Sequence, residues 1–200
     1  ILRALARRLD HPAAPLLDDG APVVYLGQNK PNDARENFYG LREAKPDLVG
    51  LALFDRIPAE LRANDALRET MWQRREIENY VATRESLQAW AGAGLPAADL
   101  VYQIERARRT EVMQQCIDEL EQSLRIARKG DPWSADIKVT DEFLDPLFAN
   151  FYERLGTPQR TFKRDYHQLA ESVPLAQIDP EVREKLDAIA AVAAQARPVT

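Results

Sequence analysis

The chain has 200 residues, of which 45% are hydrophobic and 30% are charged, and its formal net charge is −5. This length suffices for one domain with a well-buried core and excludes a large multidomain machine within these residues. Basic and acidic residues are interleaved, 27 against 32, so no bulk cationic charge favours non-specific binding to nucleic acid. No apolar run approaches the roughly 20 residues that span a bilayer, so we expect a cytoplasmic protein.

The cysteine and histidine content argues against a disulfide and against a zinc site. Cys116 has no second cysteine to pair with and falls in a helical pattern, which predicts a small buried residue. His11 and His167 lie far apart in the chain, without the spacing of zinc ligands.

The first third of the chain has the pattern of an α/β unit. Residues 1–10 predict an amphipathic helix, 22–26 a short strand and 33–44 a helix capped by Asn32. The buried side of that second helix is predicted to carry Ala34, Phe38 and Leu41. Residues 47–54 are apolar without alternation, which predicts a strand of a parallel sheet, covered on both faces and reached by a right-handed crossover.

A further strand and a helix complete this unit. Residues 66–72 predict a strand, whereas 74–81 alternate only in part and stay open between extended and helical structure. Thr83, with Ser86 three residues on, predicts the start of a helix that ends near Ala91.

Gly92, Gly94 and Pro96 interrupt the pattern and mark the clearest internal boundary. We therefore divide the chain into an α/β domain, 1–92, and a helical subdomain, 93–200. Helix formers and capping residues in the second part predict helices over 96–129, 145–155 and 162–172 and from Pro180 onwards.

The acidic residue at the end of the second predicted strand is the first functional candidate. Ligands of open parallel sheets bind at the carboxyl ends of the strands, and Asp55 follows such an end. A carboxylate there can hold Mg²⁺, which needs few protein oxygens, although capping of the turn that follows would equally explain an aspartate. Asn29 and Lys30 follow the preceding strand, where a flexible backbone and a cation suit a phosphate as well as an ordinary turn.

A second group of charges lies at 74–78. Glu76 and Glu78 share a face if the segment is extended and diverge if it is helical. Arg74 and Arg75 can pair with these carboxylates or with a phosphate. A solvated run of charges is the alternative interpretation.

Several motifs in this order resemble a known group of domains. They are Tyr-Leu-Gly-Gln-Asn-Lys (25–30), Val-Gly-Leu-Ala-Leu-Phe-Asp (49–55), Arg-Glu-Ile-Glu-Asn-Tyr (75–80) and Phe-Lys-Arg-Asp-Tyr (162–166). Together they resemble the Toprim-related C-terminal domain of ABC-type ATPases, akin to the overcoming-lysogenization-defect nucleases. The resemblance implies a small, mainly parallel Toprim-like sheet flanked by helices and followed by a largely helical half.

The resemblance also implies a function. It implies a nuclease-like or regulatory domain that acts on nucleic acid in antiviral defence, with Mg²⁺ or Mn²⁺ at the strand end. An N-terminal ATPase module of the same protein would bind ATP and control access, and a homodimer stays open. The site residues would be Asp55 as metal ligand, Glu76 and Glu78 as further catalytic carboxylates, and Lys30, Asn29, Arg74 and Arg75 for phosphate.

Two departures from the family pattern lead to an alternative function. Ile57 stands where the family usually has a second aspartate, and the glutamate after the first strand would lie before Ile1. The uncapped start of the first helix predicts that polypeptide preceded Ile1, and the chain by itself is expected to be inactive. The alternative is a non-catalytic interaction module of an ATPase.

A small-molecule enzyme is disfavoured because the sequence has no glycine-rich dinucleotide motif and no P-loop.

Overall fold

The computed structural model describes residues 1–20, 23–62, 64–95 and 100–197, and these form a mixed α/β fold in which helices predominate. Two strands, β1 (Gly50–Phe54) and β2 (Leu67–Met71), make its small sheet. The α-helices in this part of the chain are α1 (Leu2–Arg8), α2 (Ala13–Pro15), α3 (Pro31–Ala44), α4 (Arg84–Gly92), α5 (Leu100–Ile126), α6 (Asp145–Leu155), α7 (His167–Ser172) and α8 (Pro180–Ala193). None of them is both long enough and apolar enough to cross a lipid bilayer.

The two strands pair in parallel, as the sequence predicts. Gly50 lies opposite Leu67, and the register continues to Phe54 opposite Met71. Helices α3 and α8 both contact β1. A Cβ atom at Gly50 would lie 2.7 Å from the ring of Phe38, so the glycine lets α3 pack directly against the strand. A small parallel sheet flanked by helices is therefore confirmed.

The prediction of a strand at 22–26 is wrong for its described residues. Residues 23–26 form no strand, and Val23, Val24 and Tyr25 remain 63%, 53% and 91% exposed. Apolar, β-branched residues favour a strand locally, but a strand forms only where a neighbour accepts its backbone hydrogen bonds. Pro22 lies outside the described residues.

The expected cover on both faces of β1 is also wrong. Only Phe54 of the strand is buried, while the four residues before it are partly exposed. Helices α3 and α8 contact β1 but leave these four residues partly exposed.

The predicted start of α4 is confirmed, whereas the predicted start of α3 is wrong. Thr83 and Ser86 exchange side-chain to backbone hydrogen bonds of 3.0 and 3.1 Å at the start of α4, which confirms the predicted cap. Asn32 does not cap α3, because that helix begins at Pro31, and its side chain instead accepts a hydrogen bond from Arg35. Of the predicted buried side of α3, Ala34 and Phe38 are buried but Leu41 is half exposed.

The core joins both parts of the chain. Leu5 of α1 and Trp90 of α4 belong to the same cluster as Met113, Phe148 and Leu186. Helix α1 contacts both α7 and α8, and α4 contacts both α5 and α7. Residues on each side of the predicted division at 92 therefore build one core. Cys116 is fully buried within it, as predicted.

Candidate functional site

An open groove of about 1830 Å³ runs along the free edge of β1 to its carboxyl end. Its walls are formed by α1, residues 23–29, the strand itself and residues 75–78. Asp55, Glu76 and Glu78, the three predicted carboxylates, all line this groove. We refer to these three residues as the rim carboxylates.

Asp55 connects the two predicted segments on either side of it. Its backbone N–H donates to Asn29 Oδ1 at 3.0 Å, and its Oδ1 accepts a hydrogen bond from the Ile77 N–H at 3.3 Å. Both bonds reach across the sheet end rather than into the turn that follows Asp55. The side chain is partly exposed and lines the groove, so one oxygen is left to face solvent or a ligand.

Glu76 is held by the helical half of the chain. Its Oε1 accepts the Thr140 N–H at 2.5 Å, and its own N–H donates to Asn79 Oδ1 at 3.0 Å. The Asn79 side chain in turn donates to the carbonyl oxygens of Ser134 and Ile137. Glu76 is only 4% exposed, so its carboxylate serves mainly to connect the sheet end to residues 134–140.

Glu78 lies two residues on, in a single turn of 3₁₀ helix, Ile77–Tyr80. Residues 77–80, for which the sequence pattern allows either extended or helical structure, therefore form a short helical turn. The Glu78 side chain is 9% exposed, and its Oε1 lies 4.0 Å from Lys163 Nζ. This ammonium group projects from the helical half and is itself well exposed.

Burial and mutual repulsion perturb two of the three carboxylates. Burial raises the pKa of Asp55, and the negative charge of Glu76 adds to this, against the opposing hydrogen bond from Ile77 and the charges of Lys163 and Arg75. Burial also raises the pKa of Glu78, with further contributions from Glu76 and Asp55. The negative charges of the rim carboxylates therefore repel one another, and a bound cation would relieve this repulsion.

Two of the predicted phosphate-binding residues lie elsewhere. The Arg74 guanidinium lies 3.3 Å from Asp179 and 5.2 Å above the Tyr80 ring, because its backbone N–H is held by the Tyr80 hydroxyl and the side chain points towards α8. Lys30 is exposed at the start of α3 and does not line the groove, since the chain turns into the helix there. Asn29 and Arg75 do line it.

Three further groups at the rim were not predicted as site residues. Lys138, Lys163 and His167 line the groove beside the carboxylates. They come from the helical half, more than 60 residues beyond Glu76 in the chain, and no local pattern distinguishes them from other exposed charges. Only the packing of the two halves brings them to the sheet end.

The described residues contain no group of three or more His, Cys, Asp or Glu side chains placed to hold a metal ion. Glu76 is only 4% exposed and already binds the Thr140 N–H through Oε1, which leaves its second oxygen alone for a ligand. Asp55 and Glu78 remain, and Mg²⁺ is typically held by one or two carboxylates while it keeps several waters. The described residues therefore do not form a metal cage built wholly from protein side chains.

No known protein family, curated protein or solved structure matches this chain.

Proposed function

We propose that the chain is a nuclease-like or regulatory domain of an ATP-dependent protein that acts on nucleic acid. Asp55 and Glu78 hold one Mg²⁺ or Mn²⁺ ion, and Arg75 and Lys163 contact a phosphate. The proposal is carried by one observation: carboxylates with raised pKa values meet exposed cations at the carboxyl end of a parallel strand. The ATPase module and the nucleic acid come from the resemblance of the motifs.

Each residue at the rim has a separate role in this proposal. The Ile77 N–H orients the Asp55 carboxylate, and Asn29 fixes the backbone that carries it. Glu76 ties the turn to Thr140, so it acts as a positioning residue. Bound at Asp55 and Glu78, Mg²⁺ would neutralise their repulsion and polarise a phosphoryl oxygen. Arg75 and Lys163 are exposed cations that can reach a phosphodiester in the groove.

Metal titration tests the first half of the proposal. Isothermal calorimetry with Mg²⁺ or Mn²⁺ at neutral pH should show saturable binding, which Asp55→Asn and Glu78→Gln each weaken about tenfold or more. Asp47→Asn is the matched control, because Asp47 lies just before the same strand, is exposed and pairs with Lys45. Equal affinities in all variants, or no saturable binding, would contradict the proposal.

Binding of a labelled oligonucleotide tests the second half. We expect Mg²⁺ to strengthen the binding of single-stranded DNA or RNA, and Lys163→Ala to remove most of this effect. Lys45→Ala, at the opposite end of β1, should leave it unchanged. Comparison of DNA with RNA identifies the preferred nucleic acid.

A non-catalytic interaction module is the second candidate, and a specific observation favours it. Glu76 is committed to an internal hydrogen bond, and the edge of β1 stands open beside exposed apolar residues. Such a module would show no metal binding at Asp55 in the same titration. It would instead bind a partner irrespective of Asp55→Asn.

A further inference from the structure

The free edge of β1 presents backbone groups that lack partners. The Gly50 N–H donates to the Ala66 carbonyl, and the Phe54 carbonyl accepts from Trp72, so these residues turn their backbone groups towards β2. Because the direction alternates along a strand, Leu51 and Leu53 turn theirs towards the groove. No hydrogen bond to either amide from that side occurs within the described residues.

Residues 23–26 have the composition of a strand but make no backbone hydrogen bonds to a neighbouring strand in the described part of the chain. Residues 23–26, Val-Val-Tyr-Leu, line the same groove as β1. Three of them are more than half exposed to solvent. Exposure of consecutive β-branched and aromatic residues is unfavourable, and a β-strand is the structure that suits them best.

A tether already aligns this segment with β1. Asn29 Oδ1 accepts the Asp55 N–H, which belongs to the same free edge as Leu51 and Leu53. The chain from 23 to 29 therefore ends beside the carboxyl end of β1, so residues 23–26 would run parallel to the strand when placed along its free edge. Two residues, Gly27 and Gln28, separate Leu26 from Asn29, and these three steps of the chain span at most about 10 Å. Paired strands lie only about 4.8 Å apart.

We propose that residues 23–26 add to the free edge of β1 as a third, parallel strand and thereby close the groove that leads to Asp55. Helix α3 then connects two neighbouring parallel strands, which is the usual role of a crossover helix. Gly27, at φ +68°, provides the turn between the added strand and the Asn29 tether, in a conformation that favours glycine. The closed and open states differ in access to the rim, whatever ligand the rim binds.

Hydrogen exchange of single amides tests this strand addition. In the purified chain we expect the Leu51 and Leu53 amides to exchange within about tenfold of the rate of Ala52, whose amide faces β2. Without strand addition they exchange at the rate of an exposed loop. Fast exchange of both amides at every protein concentration would overturn the proposal.

Proline variants identify the strand that protects these amides. Val24→Pro and Tyr25→Pro each remove one N–H from the segment, and because alternate residues face β1, at least one of them should accelerate exchange at Leu51 or Leu53. Ala59→Pro, in the exposed loop after β1, is the matched control. Unchanged protection in both segment variants would show that something else covers the edge.

A second copy of the chain is the competing occupant. Protection that grows with protein concentration, together with a dimer in analytical ultracentrifugation, would overturn the proposal in favour of pairing between two β1 edges. A cysteine pair gives an independent readout: Val24→Cys with Leu51→Cys, in a Cys116→Ala background, should form a disulfide within the monomer under mild oxidation. Since neither readout involves metal or nucleic acid, failure here leaves the proposed function untouched.

Discussion

The helical core and the sheet edge differ sharply in how completely they are packed. Phe143, Leu147 and Phe148 of the helical half are fully buried, and Phe148 stacks against Tyr166 and meets Trp90 edge-on. Along β1, by contrast, only Phe54 is buried. Most of the stabilising burial therefore lies in the helices, while the sheet leaves its edge and its carboxyl end open for ligands or partners.

The same contrast holds for the carboxylates of the two strands. Glu69 of β2 makes two hydrogen bonds of 2.6 and 2.7 Å with Arg35, and these lower its pKa. The pKa values of Asp55 and Glu78 are raised. A carboxylate with a matched cation is structural, whereas carboxylates that repel one another in a groove are available for a ligand.

Truncation in the helical core should have the largest effect. Phe148→Ala removes a fully buried ring, and we expect it to lower the free energy of unfolding by about 3–5 kcal/mol. Leu51→Ala on the partly exposed strand should cost about 1 kcal/mol. Urea denaturation measures both, and equal losses would contradict the contrast between the two regions.

Loss of the hydrogen bond between Tyr80, near the sheet end, and Glu181 of α8 should have the second largest effect on stability. The Tyr80 hydroxyl donates to the buried carboxylate of Glu181, which also accepts the Gln73 N–H. Tyr80→Phe deprives this carboxylate of a donor and should cost about 1–3 kcal/mol. Tyr39→Phe, at an exposed ring, is the control and should change the urea midpoint little.

Glu69 should make the free energy of unfolding depend on pH in the acidic range. Because its folded pKa is lowered, its contribution is fully present above the unfolded carboxyl pKa and is lost as the pH falls through the folded pKa. Glu69→Gln should therefore be less stable than the wild type at neutral pH and converge with it in acid. Urea midpoints across this range measure the effect, and a constant difference would contradict it.

Asp55 should show the smallest effect, with the opposite sign. Its folded pKa is raised, so its ionised form disfavours the folded state once the pH exceeds the unfolded value. Asp55→Asn should gain stability relative to the wild type as the pH rises through that window and keep the gain above it. Thermal midpoints in metal-free buffer measure this, and addition of Mg²⁺ should remove the advantage by stabilising only the wild type.

Part of the site could be predicted from the order of elements. Asp55 was predicted to follow a strand end, and Asn29 lies beside it as expected, although residues 23–26 before Asn29 form no strand. The bond between Asp55 and Ile77 is a contact that the order of elements does not predict. The contacts of the Glu76 and Arg74 side chains could not be predicted, because their partners, Thr140 and Asp179, lie far away in the chain.

The sequence by itself determined the local elements: the strand segments β1 and β2, the cap at Thr83 and the helices of the second half. Periodicity, caps and composition act over a few residues and need no distant partner. Tertiary structure alone decided whether 23–26 pairs with a neighbour, which charges reach the rim, and that both halves share one core. Each of these depends on contacts between residues far apart in the chain, which local patterns do not encode.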